Sequence, residues 1–536
     1  ANSSKRRSAM QAVVAAALAS PGVSNESAPR VVRVALLQRM SDARLKSPEL
    51  CNGAAGKWEG GTCWLGEGWQ ATAAAGLAAA NDFNARIGSY VPQFASEAMR
   101  ACNVQLNVSV IDSGSTGMRA LEQLTTQLLD DEIAPDVVVG PLRSTVSESV
   151  ALLLGVRDTP QISYGSSSPT LSDKALYPRF FRTFPSDASA AISICQLLAD
   201  QLSLARVGVF YSSDTYGEGY MHALQSDCSA RGVVVQGWPY DIGNHESIRR
   251  AMSNLEESGV SAVTFVFLDT ADLKMLIETG LELQSLGKAN PRLLILPEGL
   301  DLGSLSRAAR EVLHGSLALR SIGGTTANPR WASFASRGWY NLSATAFNPL
   351  LPEPFHVSQS LFGPTFDASN SFFLSNLGTY EYDAMAAAGL LACEVAPTGV
   401  IAADFGTELW KAATSAEFEF EGLSGTVRFD ERGDRDQLTA NIQLYNVLQD
   451  ADGSLSESQV ATYDGLATNP WLWQGGSMSA SGVVFNGGRA SPPRVLRVTL
   501  LQRMSDARQT SAKLCDGAGG NWVAEGGDGS VGKCWL

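Results

Sequence analysis

Residues 137–187 read VVVGPLRSTVSESVALLLGVRDTPQISYGSSSPTLSDKALYPRFFRTFPSD. The opening Val137–Gly140 is a short β-branched run, the mark of a strand buried on both faces. Gly-Pro breaks it. Ser144–Val156 then carries hydroxyls at its start and Leu and Val after them, which predicts a helix. Gln161–Tyr164 is the next strand. Strand, helix, strand is the unit of a parallel sheet. In sheets of this kind ligands bind outside the carboxyl ends of the strands. The turns after these strands are therefore the places to look for chemistry.

The same alternation extends in both directions. Strands are expected at Val31–Leu37, Val104–Ile111, Arg206–Tyr211, Val233–Tyr240, Ala262–Leu268 and Leu293–Leu296. Helices are expected at Gly68–Ile87, Met118–Leu129, Ala188–Leu202, Tyr216–Arg231, His245–Ser258 and Ala271–Leu286. This order predicts an α/β fold with parallel sheets flanked by helices. About thirteen strands exceed one comfortable open sheet, so two lobes are expected.

Composition narrows the function. Of 536 residues, 45% are hydrophobic and 18% charged, a globular balance. Asp and Glu number 54 against 40 Lys and Arg, for a net charge of −14. Binding to a phosphate backbone needs basic residues, so nucleic acid is not an expected partner. No apolar run is long enough to span a membrane as a helix. His222, His245, His314 and His356 are far apart in the chain, which argues against a histidine metal site. No G-x-S-x-G, HExxH or dinucleotide fingerprint occurs, so neither an enzyme nor a cofactor is expected.

Several strand-to-helix turns carry chemistry. VVVGPLRS at 137–144 and QISYGSSSP at 161–169 offer hydroxyls and free backbone N–H groups, which suit a carboxylate or phosphate. Ser at such a place is more often a helix cap. Phe184-Pro-Ser-Asp187, Ser213-Asp-Thr-Tyr216 and Leu296-Pro-Glu298 add two carboxylates and an aromatic ring. Donors for an anion beside acceptors for a cation match the two halves of an amino-acid zwitterion.

The ends of the chain repeat one another. PRVVRVALLQRMSDAR at 29–44 recurs as PRVLRVTLLQRMSDAR at 493–508, with 14 of 16 positions identical at an offset of 464. Cys51-Asn-Gly-Ala-Ala-Gly-Lys-Trp58 recurs as Cys515-Asp-Gly-Ala-Gly-Gly-Asn-Trp522, and each copy closes on Cys-Trp-Leu. So long a period marks one large unit and the opening of a second tandem copy. Cys51–Cys63 and Cys515–Cys534 are expected disulfides, because the flanks are kept while the loop length varies. The P-loop-like Gly527–Cys534 ends in Cys rather than Ser or Thr and reads as a Gly-rich loop. Lys5-Arg6-Arg7 before Ala9–Ala19 fits a signal peptide or an inter-unit linker equally. With the cysteines, sequons at Asn2, Asn25, Asn107 and Asn341 point to an extracellular or secreted glycoprotein.

The 137–187 stretch resembles the ligand-binding region of family-C receptors, and it resembles the amino-acid-binding periplasmic proteins of the leucine/isoleucine/valine type. The likeness continues in YSSDTYGEG (211–219), ILPEG (295–299), TYEYDAMAAAGLLACE (379–394) and GLSGTVRFDERGDR (422–435). It implies a type I periplasmic-binding-protein-like clamshell, two lobes joined by three crossings. PQISYGSSS is most similar to the metabotropic glutamate and calcium-sensing branch. That likeness implies that Ser144 and the loop at Gly165 and Ser167 take the carboxylate of an α-amino acid, and that Asp187, Tyr216 and Glu298 take its ammonium. Glutamate-reading members place a Lys shortly before the last helix of the first lobe. Asn376–Thr379 supplies no base there, which speaks against glutamate. Trp69 is the nearest candidate for an aromatic wall. The likeness also implies a Cys195–Cys228 bridge, whereas Cys102 and Cys393 are either bridged or buried thiols.

The expected organisation is a leader or linker (1–28), lobe one (29–186), lobe two (187–317), a return to lobe one (318–412), a return to lobe two (413–450), a tail (451–492) and the second copy (493–536). The expected function is an extracellular receptor-type module that closes on a small molecule, an α-amino acid. It would pair through lobe one and be tethered to a membrane by parts outside this chain. The alternatives are a solute-binding protein of a branched-chain amino-acid transport system and a repeated scaffold with a degenerate cleft.

Overall fold

The computed structural model describes residues 30–53, 56–267, 270–296, 305–325, 327–369 and 371–485, together with two short strands at 521–524 and 532–535. Residues up to Pro492 form one compact unit, and 493–536 form another.

The first sheet opens with β1 (Arg30–Gln38). A hairpin, β2 (Lys57–Glu59) and β3 (Thr62–Trp64), follows it. Next come α1 (Glu67–Asn84), β4 (Val104–Asp112), α2 (Gly117–Leu128), β5 (Val137–Val139), α3 (Ser144–Val156), β6 (Gln161–Ser163) and β7 (Phe180–Arg182). The five strands are all parallel, in the order β4-β1-β5-β6-β7. The chain leaves β1 toward β4 and returns on its other side as β5, so the switch point lies at the carboxyl ends of β1 and β5. Gly140 sits there at φ 92°, where a side chain would also run into the Leu37 carbonyl.

The second sheet is built from α4 (Asp187–Gln196), β8 (Arg206–Ser212), α5 (Thr215–Ala230), β9 (Val234–Tyr240), α6 (His245–Ser253), β10 (Ala262–Val266), α7 (Thr270–Glu282), β11 (Leu293–Leu296), α8 (Arg307–Leu313) and β12 (Leu317–Ser321). The chain then returns to the first lobe as α9 (Thr379–Val395), α10 (Phe405–Ala413) and a hairpin, β13 (Glu419–Gly422) and β14 (Gly425–Arg428). It ends in the second with β15 (Ile442–Gln449), β16 (Leu455–Tyr463) and β17 (Trp471–Trp473). The eight-stranded order is β17-β16-β15-β12-β11-β10-β8-β9. Strands β8 to β12 run parallel, and the last three are antiparallel. The α/β clamshell expected from the sequence is what forms.

Two expected boundaries shift. The hairpin β13–β14 was placed in lobe two. Phe418, Phe420, Val427 and Phe429 instead pack into the core of lobe one, so the third crossing follows Arg435. The span 451–492, expected as a tail, holds β16 and β17, whose Trp471 and Trp473 join the core of lobe two. Both segments alternate polar and apolar residues, which identifies a strand and not the sheet it joins.

Lobe one is held by small residues. The Ala-rich faces of α1 (Ala71–Ala80) and α9 (Ala384–Ala392) are buried against each other in one core. A side chain at Gly389 would collide with Phe83. Such contacts let two helix backbones approach closely, and each buried methylene contributes about 0.8 kcal/mol.

Among the described residues three disulfides are formed. Cys51–Cys63 and Cys195–Cys228 are as expected, and Cys102–Cys393 turns out bridged rather than free. Cys102–Cys393 ties the end of α9 to the chain before β4. Cys515, and with it the expected Cys515–Cys534 bridge, falls outside the described residues, as does the leader. The second unit does show β18 (Asn521–Ala524) against β19 (Gly532–Trp535), with Trp522 opposite Cys534. The β2–β3 hairpin has the same register, Trp58 opposite Cys63.

Candidate ligand cleft between the lobes

A cleft of about 1180 Å³ is lined by residues of both lobes, among them Arg39 and Arg143 beside the β1–β5 switch point. Ser144, Gly165, Ser167, Asp187 and Tyr216, drawn from four separate turns, all line it. Glu298 lies outside the described residues.

Each of these positions has a local cause. Ser144 opens α3, and its Oγ accepts from the Ser168 backbone N–H at 3.1 Å. The 165–168 loop is shaped from beneath. Fully buried Arg182 donates to the carbonyls of Ser166 and Ser168 at 2.9 and 2.8 Å and to Asp434 at 2.8 Å. Ser166 Oγ turns inward to the Pro141 and Leu142 carbonyls. The Gly165 and Ser166 N–H groups go to Ser163 Oγ and the Ser168 N–H to Ser144 Oγ, which leaves Ser167 as the residue of this loop that can present donors to the cleft. Asp187 is the first residue of α4, 3% exposed, and its own N–H donates to the Ser167 carbonyl at 2.8 Å. A carboxylate on a helix's first turn is stabilised by the helix dipole. Tyr216 is on the first turn of α5, which Asp214 caps through the Gly217 N–H.

The lobes touch at the edge of this cleft. Thr145 Oγ1 donates to Asp214 at 3.1 Å, and Ser168 Oγ donates to the Thr215 carbonyl at 2.7 Å. Thr215 donates its hydroxyl to Glu148, which also accepts from Tyr177 at 3.2 Å.

Charged cleft residues that the turns did not reveal are Arg39, Arg143, Arg320 and Glu457. The Arg39 guanidinium lies over the Trp69 ring, 4.4 Å from its centroid, and pairs with Asp42 at 2.8 Å. Trp69, expected as an aromatic wall, does line the cleft and meets Phe373 edge to face at 4.9 Å. Arg39 had a signal in the sequence, since it recurs as Arg503 in the repeat. Arg320 on β12 pairs with Glu457 on β16 across the intervening β15, which nothing local announces.

Behind the cleft, Glu381 on α9 is fully buried, and burial pushes its carboxyl well above the usual carboxylate range. Asp82 on α1 is raised to about 6 by burial, while the Tyr382 hydroxyl at 2.6 Å pulls it back down. Among the described residues no His, Cys, Asp and Glu cluster could hold a metal, and no helix is long and apolar enough to cross a membrane.

Fold and comparison meet here. Residues 93–289 match the model of the family described as receptor family ligand binding region. The match covers the 137–187 stretch and four of the turns that line the cleft. Together they give the class of fold, two α/β lobes of the periplasmic-binding-protein type, with a stretch similar to receptor ligand-binding regions. Among curated proteins, the chain is similar to the G-protein coupled receptor family C group 6 member A of Carassius auratus, 29% identical over 26% of this chain and 17% of that protein. It is similar to the extracellular calcium-sensing receptor of Sus scrofa, 25% identical over 37% of this chain and 20% of the receptor. The human calcium-sensing receptor is 26% identical over 33% and 18%. The matched part spans a fifth or less of each relative. These relatives are receptors and not enzymes.

Proposed function

We propose that this chain is an extracellular, receptor-type module that binds an α-amino acid between its lobes and closes around it. The observation that carries this reading is the gathering of Ser144, Gly165, Ser167, Asp187 and Tyr216 on one cleft. The Ser144 and Ser167 hydroxyls suit a carboxylate, and Asp187 with the Tyr216 ring suits an ammonium. On the sequence alone, Glu298 is a further carboxylate for the ammonium. Closure follows because the ligand touches both lobes at once only in the closed form.

Supporting features fit a secreted receptor. Three disulfides agree with an oxidising compartment, and both described sequons, Asn107 and Asn341, are exposed for glycosylation. Met118, Leu152 and Val156 on α2 and α3 are exposed apolar residues at which lobe one would pair with a second copy. The shared hairpin register supports 493–536 as the opening of a second unit. A membrane tether would lie in parts of the protein beyond this chain, as the short coverage of the receptor relatives allows.

Calorimetry of the whole chain with each of the twenty amino acids tests the reading. Saturable heat with some of them is the expected result. No heat with any, at millimolar concentration, would leave a scaffold with an empty cleft.

A further inference from the structure

The anion side of the cleft rests on a residue that never reaches it. Arg182 on β7 is fully buried and does not line the cleft. Its whole guanidinium fork is engaged. Nη1 donates to the carbonyls of Ser166 and Ser168 at 2.9 and 2.8 Å. Nε and Nη2 meet Asp434 at 2.8 and 2.7 Å, and Nη2 also donates to Ser172 Oγ at 2.7 Å. Ser172 donates in turn to the second Asp434 oxygen at 2.6 Å. Asp434 is followed by fully buried Arg435, which donates to the Thr183 carbonyl at 3.0 Å, where the chain leaves β7 for lobe two. The segment that enters the third crossing thus fixes the fork from behind.

The front of the fork decides what the ligand loop can show. Residues 166–168 carry three consecutive carbonyl oxygens, and any of them left facing a ligand carboxylate would repel it. Arg182 takes those of Ser166 and Ser168, and the Asp187 N–H takes that of Ser167 at 2.8 Å. Ser167, between the two carbonyls that Arg182 holds, is left with donors to offer. A Lys at 182 would keep the charge, but its three donors sit on one nitrogen and cannot span both carbonyls, Ser172 and Asp434.

Resting on the amino-acid reading above, we infer that Arg182 is a positioning residue for carboxylate recognition. By holding the carbonyls on either side of Ser167 away from the ligand, it makes the cleft prefer an α-amino acid to the neutral carboxamide of the same amino acid. It acts through Ser167 and touches no ligand.

The test is calorimetry of the full chain, at mildly acidic pH, with leucine, phenylalanine and glutamine, each beside its α-carboxamide. The carboxamide keeps the side chain and the ammonium and lacks only the negative charge. Wild type should bind the acid about tenfold or more tightly than the amide, since hydrogen bonds to a charged group are the stronger ones. In Arg182→Lys, shown folded by a thermal melt, the acid-to-amide ratio should fall to about two or less while amide affinity stays within about twofold of wild type. Ser172→Ala removes one partner of the fork at little risk to the fold. It should lower the ratio about twofold, and it decides the matter if Arg182→Lys does not fold. An unchanged ratio in the folded variants, or an equal loss for acid and amide, would overturn the role of Arg182 and leave the amino-acid reading standing. If wild type binds acid and amide alike, the carboxylate assignment falls and the role of Arg182 with it. If wild type binds none of the six, the amino-acid reading itself is overturned.

Discussion

The Thr215 hydroxyl, at the start of α5 in the second lobe, donates to the Glu148 carboxylate on α3 in the first. Thr145–Asp214 and Ser168–Thr215 stand beside it, so three hydrogen bonds clasp the lobes next to the cleft. None of the three includes a residue assigned to the ligand. The clasp and the ligand therefore stabilise the closed form separately, and weakening one should be felt through the other.

Thr215→Val removes the donor and leaves the side-chain volume nearly unchanged. A hydrogen bond of this kind contributes about 1 kcal/mol, so amino-acid affinity should fall about fivefold. Small-angle scattering should show a larger unliganded radius of gyration. Equal scattering and equal affinity in variant and wild type would mean the clasp does nothing.

Asp187→Ala removes the carboxylate assigned to the ammonium. The expected loss is about 2–5 kcal/mol, enough to bring binding near the limit of calorimetry. Because Asp187 also opens α4, a thermal melt must show the variant folded. A folded variant with wild-type affinity would rule out this residue as the ammonium partner.

Glu381 sets a pH dependence of stability. Burial raises its folded-state pKa above the ordinary carboxylate value, so the folded chain keeps a proton that the unfolded chain releases. Its favourable contribution is complete below the unfolded pKa and is lost as pH rises toward the folded one. Asp82 acts in the same direction, over a window from about 4 to about 6. Glu381→Gln should therefore gain stability over wild type, and gain more at pH 8 than at pH 4. Urea midpoints at the two pH values measure this, and an advantage that shrinks as pH rises would contradict it.

Cys102–Cys393 closes the longest loop of the three bridges. Replacing both residues with Ser should lower stability by about 2–4 kcal/mol, read as a lower melting temperature. The Cys195–Cys228 bridge joins α4 to α5 within lobe two. Its removal should affect that lobe's amide exchange more than lobe one's.

Much of this molecule is legible in short windows. Val137–Gly140 and Ser144–Val156 announce their elements because burial on both sheet faces and a polar helix start are local demands. Ser144, Gly165, Ser167, Asp187 and Tyr216 could be picked out because a parallel sheet places its ligand turns at strand ends, and those turns are contiguous in the chain. The Cys51–Cys63 bridge was legible through the repeat. The β13–β14 hairpin and β16–β17 were assigned to the wrong places, since their alternation is satisfied by any sheet with an apolar side to cover.

The chain by itself determined most of the elements and the turns that could hold a zwitterion, because each depends on residues within one or two turns of one another. Only the tertiary structure decided that Arg320 meets Glu457, 137 positions away, and that Arg182 holds the 165–168 loop from below. Those depend on how separate segments pack. Burial rewards any apolar face without naming its partner, whereas a hydrogen bond or an ion pair exists only once packing has brought two particular groups together.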